Sequence, residues 1–365
     1  MTNRRPGAAR RRQAGLGLVD IMVGMAIGML AVVIIMQMFL LSDKQTRTTM
    51  GGADAQSGGA IALHGLERDL SQAGYGFASE QLLGCRLTWQ LPSGAAIATP
   101  VPLAPVVINP AAGVIPAGDA NTDTLLVIYG NTEDQPQGNA ISAQAGQSYT
   151  VQMPASFTVG DRVVATPGGC GGSGILELDR VTAAPPSTTT SITVAAGAAG
   201  NLLFNLGRTP RILAYAVRGG NLTVCDYLQD DCGQGASKGN DAVWVPVAGN
   251  IVSLRALYGR DTSNPMDGVV EAYDQDTPTQ ADRANWARIL SLRLALVARS
   301  AEYESRIGAT SGQRECDPVT PGAPQWDGNA AAPIDLAADA DWQCYRYRTF
   351  QTVVPMRNVI WMGEQ

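Results

Sequence analysis

Residues 10–41 read RRRQAGLGLVDIMVGMAIGMLAVVIIMQMFLL, and the 21 residues from Ile21 to Leu41 carry no charge. Wound as an α-helix at about 1.5 Å per residue, that run covers ~32 Å, enough to cross a bilayer core. It is longer than the ~7–15 apolar residues of a secretory h-region, and no A-x-A-like cleavage site follows it. Arg4, Arg5, Arg10, Arg11 and Arg12 precede it with no acid among residues 1–15, which predicts a cytoplasmic N-terminus. Gly15 marks the boundary between the basic leader and the apolar run. Asp20 stands at the mouth of the span, with no basic residue between it and Lys44. An acid at the centre of a membrane helix costs about 2.5–3.5 kcal/mol on insertion scales and is usually paired or functional. The other reading of Asp20 is a carboxylate that reaches the headgroups and stays hydrated.

The stretch resembles the type III signal sequence of prepilins: a basic leader, a glycine, a hydrophobic residue, and an acid at the fifth mature position. That resemblance implies peptidase cleavage between Gly15 and Leu16, retention of the apolar segment, and N-methylation of Leu16. The family usually has Phe and Glu where this chain has Leu16 and Asp20. Cleavage creates an α-amino cation at Leu16 that a neighbouring subunit's Asp20 can neutralise in low-dielectric surroundings, which favours one axial stagger between helices. Gly24 and Gly28 form a small-xxx-small pair that permits close helix approach.

A helical pattern continues past the span. Leu63, Leu66, Leu70 and Ala73 recur at three- and four-residue steps, Glu67, Arg68 and Asp69 lie off that stripe, and Gly74 is placed as a C′ stop. As one helix, residues 16–73 measure roughly 87 Å. Gly51, Gly52, Gly58, Gly59 and Gly65 each cost about 1 kcal/mol relative to Ala inside a helix, so a bend, break or loosened region is expected around 50–60. His64, the one histidine, reads as a solvated or packed stem residue. The end of this stem resembles the L-x-R-D-L-x-x-A-G-Y of PilW-type minor pilins, carried here by Leu66, Arg68, Asp69, Leu70, Ala73, Gly74 and Tyr75, then Gly84 and Cys85.

The remaining chain is rich in turns and poor in charge. Gly (41) and Pro (21) account for about one residue in six of the 365, which favours strands and loops. Six prolines between 92 and 116 make that stretch loop and extended chain. Strands are expected at Leu125–Tyr129, Tyr149–Met153, Arg162–Ala165, Ile175–Leu178 and Ser191–Val194. Ile212–Val217 and Leu222–Tyr227 are read as a hairpin turning at Gly219-Gly220. Alternation at Val252–Tyr258 and Leu292–Val297 predicts two half-buried strands. The fold class is therefore α+β, a long N-terminal helix on a β-rich, loop-rich head. Its expected divisions are a leader at 1–15, a helix at 16–74 (membrane part about 21–41, stem 42–74) and a head at 75–365.

Cys85, Cys170, Cys225, Cys232, Cys316 and Cys344 lack zinc-ligand spacing and read as disulfides of an oxidising compartment. Six cysteines allow 15 pairings. Sequence proximity favours 225–232 and 316–344, leaving 85 with 170. Without the five leader arginines, 21 basic groups face 32 acidic ones, a formal charge of −11 that disfavours direct nucleic-acid binding. The chain has no G-x-S-x-G elbow, P-loop or H-E-x-x-H, and no catalytic residue or cofactor is expected. The acidic loop with Asp261, Asn264 and Asp267 is a weak calcium candidate that departs from EF-hand positions; solvated turn acids are the preferred reading.

Tyr258-Gly259-Arg260-Asp261, Trp286, Arg299-Ser300 and Val354-Pro355-Met356-Arg357-Asn358 again resemble PilW-type pilins. The resemblance implies an inner-membrane, single-pass precursor with a periplasmic head, later built into a type IV pilus or its tip. It further implies a part in initiating pilus assembly, and hence in twitching motility, adhesion or DNA uptake. Its implied partners are other minor pilins, the major pilin, the prepilin peptidase and the inner-membrane assembly platform. The alternatives are a type II secretion pseudopilin and a membrane-anchored periplasmic enzyme or receptor.

Overall fold

The structure is a computed structural model that describes residues 17–77, 79–132, 134, 137–183, 190–279, 283–307 and 313–360. The chain divides into two compact units, Met1–Met50 and Gly51–Gln365. One helix, α1 (Leu18–Gln72), supplies the described part of the first unit and opens the second. In the first unit, Leu18–Phe39 is a 22-residue run with mean hydropathy 2.6, none of it buried within the chain. It is long and apolar enough to cross a membrane.

Of the bend, break or loosened region expected around 50–60, a break does not occur: the helical backbone of α1 is continuous through its glycines. In the second unit Ala55, Gly59, Ala62, Leu66 and Leu70 are buried, at the three- and four-residue steps of one helix face. Gly59 lies against the ring of Phe350, and a Cβ at position 59 would overlap the ring carbons. Poor propensity at this glycine is thus the condition for close aromatic packing, and burial of the stripe offsets it. The helix stops where expected, with Gly74 at φ +84° and its N–H donating to the Ile128 carbonyl at 2.9 Å.

The proline-rich stretch forms only short pieces, β1 (Arg86–Thr88), β2 (Val101–Pro102) and β3 (Val106–Ile108), before β4 (Leu125–Tyr129). The chain then makes β5 (Asn139–Ala145), β6 (Ser148–Val151), β7 (Arg162–Thr166), β8 (Ile175–Ala183), β9 (Ser191–Val194) and β10 (Leu202–Gly207). These join β1 and β2 in the order β2-β1-β8-β7-β10-β5-β6-β9, and β9 returns to pair with β8. The run from β8 to β9 therefore closes on itself as a small barrel. Tyr149, Phe157, Val163, Ile192 and Leu203 fill its inside. Val164, Leu178, Phe204 and Leu206, on its outside, belong to the main core.

After the barrel, β11 (Arg211–Arg218) returns beside β4 with Arg211 opposite Tyr129. The barrel is thus inserted between two adjacent strands. β12 (Asn221–Asp226) follows through a tight turn with Gly219 at φ +57° and Gly220 at +71°, and β13 (Val245–Gly249) completes a sheet ordered β13-β12-β11-β4-β3. Next come β14 (Ile251–Arg260), β15 (Ala272–Asp274), the short α2 (Arg283–Ala287) and β16 (Ile289–Arg299). A small hairpin of β17 (Ser305–Ile307) and β18 (Arg314–Cys316) precedes β19 (Tyr347–Pro355) and α3 (Arg357–Ile360).

The third sheet, β15-β14-β16-β19, corrects an expectation. Its central strands β14 and β16 are buried on both faces rather than half-buried. Leu254, Leu292, Leu294 and Leu296 join the core that includes the stem of α1. Leu257, Ala295 and Val297 are covered by Trp326, Ile334 and Leu336, from the irregular segment between β18 and β19.

Three disulfides, with the pairings that proximity favours, tie down irregular chain. Cys85–Cys170 joins the start of the head to the β7–β8 loop, Cys225–Cys232 staples the end of β12, and Cys316–Cys344 closes the segment that covers the third sheet.

The glycines of the stem are not equivalent, and substitution separates them. Gly59→Ala is expected to lower the unfolding free energy of the detergent-solubilised chain by about 1–3 kcal/mol, through overpacking against Phe350. Gly65→Ala, where a Cβ meets nothing within 4 Å, is expected to raise it by up to about 1 kcal/mol. Urea unfolding measures both.

Candidate functional site

The residues singled out for function lie along α1. Gly15 and Leu16 fall outside the described residues. Asp20 sits in the first turn, exposed, its carboxylate accepting the Gly17 N–H at 3.3 Å. A negative charge there complements the positive end of the helix dipole. Gly24 and Gly28 are exposed, and a Cβ at either meets nothing within 4 Å.

The lower end of α1 is docked through specific contacts. Leu66, Leu70 and Ala73 are each 1% exposed. Asp69 stands beside them and receives two phenols from adjacent strands: Tyr129 of β4 donates to Oδ1 at 2.9 Å, and Tyr215 of β11 donates to Oδ2. Glu67 accepts the Thr352 hydroxyl of β19 at 3.4 Å. Of the terminal carbonyls, which lack intrahelical donors, those of Leu70 and Gln72 accept the N–H groups of Ala73 and Tyr75 at 3.1 and 3.0 Å, and one side chain meets the very end. The Nδ2 of Asn358 donates to Gln72 at 3.2 Å and to Ala73 at 3.0 Å.

Burial raises the pKa of both phenols. For Tyr129 the hydrogen bond to Asp69 adds to this and then the charge of Asp69; for Tyr215 the charge comes before the hydrogen bond. Neither tyrosine was singled out in the sequence, although each ends or interrupts an apolar strand with a polar tip that needs a partner when buried. Asn358 was recognised only as part of a motif.

The other motif residues are placed at joints between sheets. The Tyr258 hydroxyl of β14 accepts the Ile108 N–H of β3 at 2.7 Å, and burial pushes its pKa up to about 12. Trp286 meets the Tyr258 ring edge-on, centroids 6.4 Å apart. Asp261 is fully buried and accepts backbone N–H groups from Ser263, Asp267 and Gly268 at 2.8–3.0 Å.

Of the calcium candidates, Asp261 and Asp267 come together with Glu271, which sequence reading did not include, their carboxylate oxygens within 4.8 Å of one another. Asn264 is not in that group. The carboxylates already serve the loop: Asp267 accepts the Val269 N–H, and Glu271 accepts the Thr262 N–H and the Ser263 hydroxyl. Asp261 is buried rather than solvated, and all three carboxylates accept donors of their own loop.

The family model of the type IV pilus-assembly protein W, PilW, matches residues 218–358. The match is less than half of the chain but takes in Tyr258, Trp286 and Asn358, so the resemblance read from them is borne out over that region. No curated protein matches the chain. Among solved structures, it aligns with a type IV-like pilin from Thermus thermophilus at 11% identity and a TM-score of 0.33, covering 84% of this chain and 97% of that one.

The joint around Asp69 has a pH signature. The folded chain keeps the Tyr129 and Tyr215 protons at pH values where the unfolded chain loses them. Their contribution is fully present below the ordinary tyrosine value of 10.0 and declines as pH rises beyond it. Urea unfolding between pH 8 and 11 is expected to trace that decline. Asp69→Ala, which strands two buried hydroxyls, is expected to cost about 1–3 kcal/mol at pH 8 and to make the decline shallower.

Proposed function

We propose that this chain is a minor pilin of the PilW type, made as an inner-membrane precursor and assembled into a type IV pilus or its tip. The observation that carries this reading is the family match over 218–358. That segment supplies the third sheet and the Asn358 side chain that closes the end of α1, so the matched part holds one of the two points that fix the stem, the other being Tyr129 and Tyr215 outside it. The apolar run Leu18–Phe39 suits a single membrane crossing, and three disulfides suit a head that folds in the periplasm.

In this reading the prepilin peptidase cuts between Gly15 and Leu16 on the cytoplasmic side, and Leu16 is methylated. The assembly platform then brings the apolar helix against those of the major pilin and other minor pilins. Gly24 and Gly28 allow close approach, and Asp20 meets the amino terminus of a neighbour, setting the stagger. The work is packing and charge registration rather than catalysis. Its consequence is initiation of a filament that serves twitching, attachment or DNA uptake.

Intact-mass analysis of the membrane-extracted protein tests the processing step: the mature chain is expected to begin at Leu16. A chain that begins at Met1 contradicts the pilin reading. Asp20→Ala is expected to be processed normally but to enter sheared filaments at least about tenfold less than the wild type, as quantitative immunoblotting would report.

A further inference from the structure

On the outer face of the barrel, Arg162 of β7 and Arg180 of β8 stand directly opposite each other across the ladder. The next outward pair, Val164 and Leu178, is buried in the main core. The arginines therefore lie at the rim of an apolar contact. Like charges in opposed positions repel, and neither guanidinium has a hydrogen bond or ion pair among the described residues. The row they occupy is otherwise small. Gly207 flanks Arg162, and Ala195 lies beside Arg180, donating to its carbonyl at 3.0 Å. Arg162, Arg180 and Ala195 border a recess of about 290 Å³ with Gln90, Leu91 and Pro92.

Two acids also border the recess, but strand alternation puts Glu177 and Asp179 on the other face of β8. Asp179 is engaged there: its oxygens accept the N–H groups of Arg180, Ala195, Ala196 and Gly197 at 2.7–3.1 Å. A nest of N–H groups of this kind holds a negative charge locally. For Glu177, burial and then the charge of Asp179 raise the pKa. Arg162 is itself partly desolvated: burial, followed by the charge of Arg180, lowers its pKa, and the charge of Asp179 opposes this in part.

We infer that Arg162 and Arg180 form a binding site for a tetrahedral oxyanion, a phosphate or sulfate group, held between two guanidinium forks. Each fork donates two parallel hydrogen bonds to an anion edge, and a tetrahedral group offers enough oxygens for both, whereas a carboxylate offers two. The recess has room for the group's carrier as well, such as a small alcohol or sugar, so a free anion and a phosphate ester are both candidate sources. The site is independent of the pilin reading, since it needs neither cleavage nor assembly.

The test uses the full-length chain in detergent at low ionic strength, titrated with inorganic phosphate and with glycerol phosphate. Thermal unfolding and calorimetry are the readouts, with sodium chloride at matched ionic strength as the control. Phosphate is expected to raise the unfolding midpoint beyond chloride. Arg162→Gln and Arg180→Gln should each weaken binding at least about tenfold, and Arg162→Lys, which keeps the charge but loses the fork, by less. Without phosphate, either Gln variant should unfold at a higher temperature than the wild type, because the repulsion is gone. Tighter binding of glycerol phosphate would identify a carried group, and equal binding the free anion; both support the site. A phosphate shift no larger than that of chloride would overturn it, as would an undiminished shift in the double Gln variant. Intact disulfides and unchanged circular dichroism establish that the variants are folded.

Discussion

Asp69 accepts hydroxyls from Tyr129 and Tyr215, two side chains on neighbouring strands. Apolar contact is non-directional, so a stripe such as Leu66, Leu70 and Ala73 can rotate or slide on a flat sheet at modest cost. Two hydrogen bonds to one carboxylate cannot. Charge-assisted bonds of this kind are worth roughly 1.5–3 kcal/mol each, about the burial free energy of one leucine side chain, but they vanish with a small shift in register. Asn358 adds a second fixed point at the end of the same helix, where unpaired carbonyls are obligatory. Between these two points the stem has a defined rotation and height on the head.

The rest of the head follows from where the stem sits. Its side of the third sheet requires Leu292, Leu294 and Leu296 on β16, and a strand with one face so committed would normally leave the other to solvent. Here the segment closed by Cys316–Cys344 covers that face with Trp326, Ile334 and Leu336. The segment has little regular structure, so a covalent closure that limits its freedom in the unfolded chain is a sensible source of stability. The barrel has the same dependence in another form. It has an interior of its own, but its outer residues Val164, Leu178, Phe204 and Leu206 complete the main core. Cys85–Cys170 ties it to the chain that leaves the stem.

Local elements were legible where one physical cause dominates. The charge-free run predicted the apolar helix, Gly219-Gly220 predicted the hairpin, and Gly74 predicted the stop, because each depends on the residue itself. The strand at Ser191–Val194 matches its expectation for the same reason. Long-range closure was not legible. Nothing in the barrel strands announces that β9 returns to β8, since alternation reports which residue faces inward but not which strand is adjacent. The packing of Gly59 was not legible either, because the Phe350 ring that it meets lies almost 300 residues away in sequence. At the joint, Asp69 was legible as a motif position, but its partners were not, as a tyrosine at a strand end carries no address.

The same reasoning bears on Asp20. In the single chain its carboxylate takes the Gly17 N–H at 3.3 Å, a long contact at an exposed helix start. In water that arrangement is adequate, because solvent satisfies the remaining oxygen lone pairs. Once the helix is surrounded by other apolar helices, water is no longer available, and one long hydrogen bond leaves the charge mostly unanswered. Pairing with a cation answers it. In the proposed reading the cation comes from cleavage itself, because a free amino terminus arises at the same end of every processed subunit. A neighbour displaced along the axis can bring that amine to Asp20 at only one stagger. In that reading an uncleaved chain has no such amine there, so the carboxylate would favour assembly only of processed chains. A neutral residue at position 20 would pack equally well at many heights, which is why charge rather than apolar area carries the specificity in this scheme.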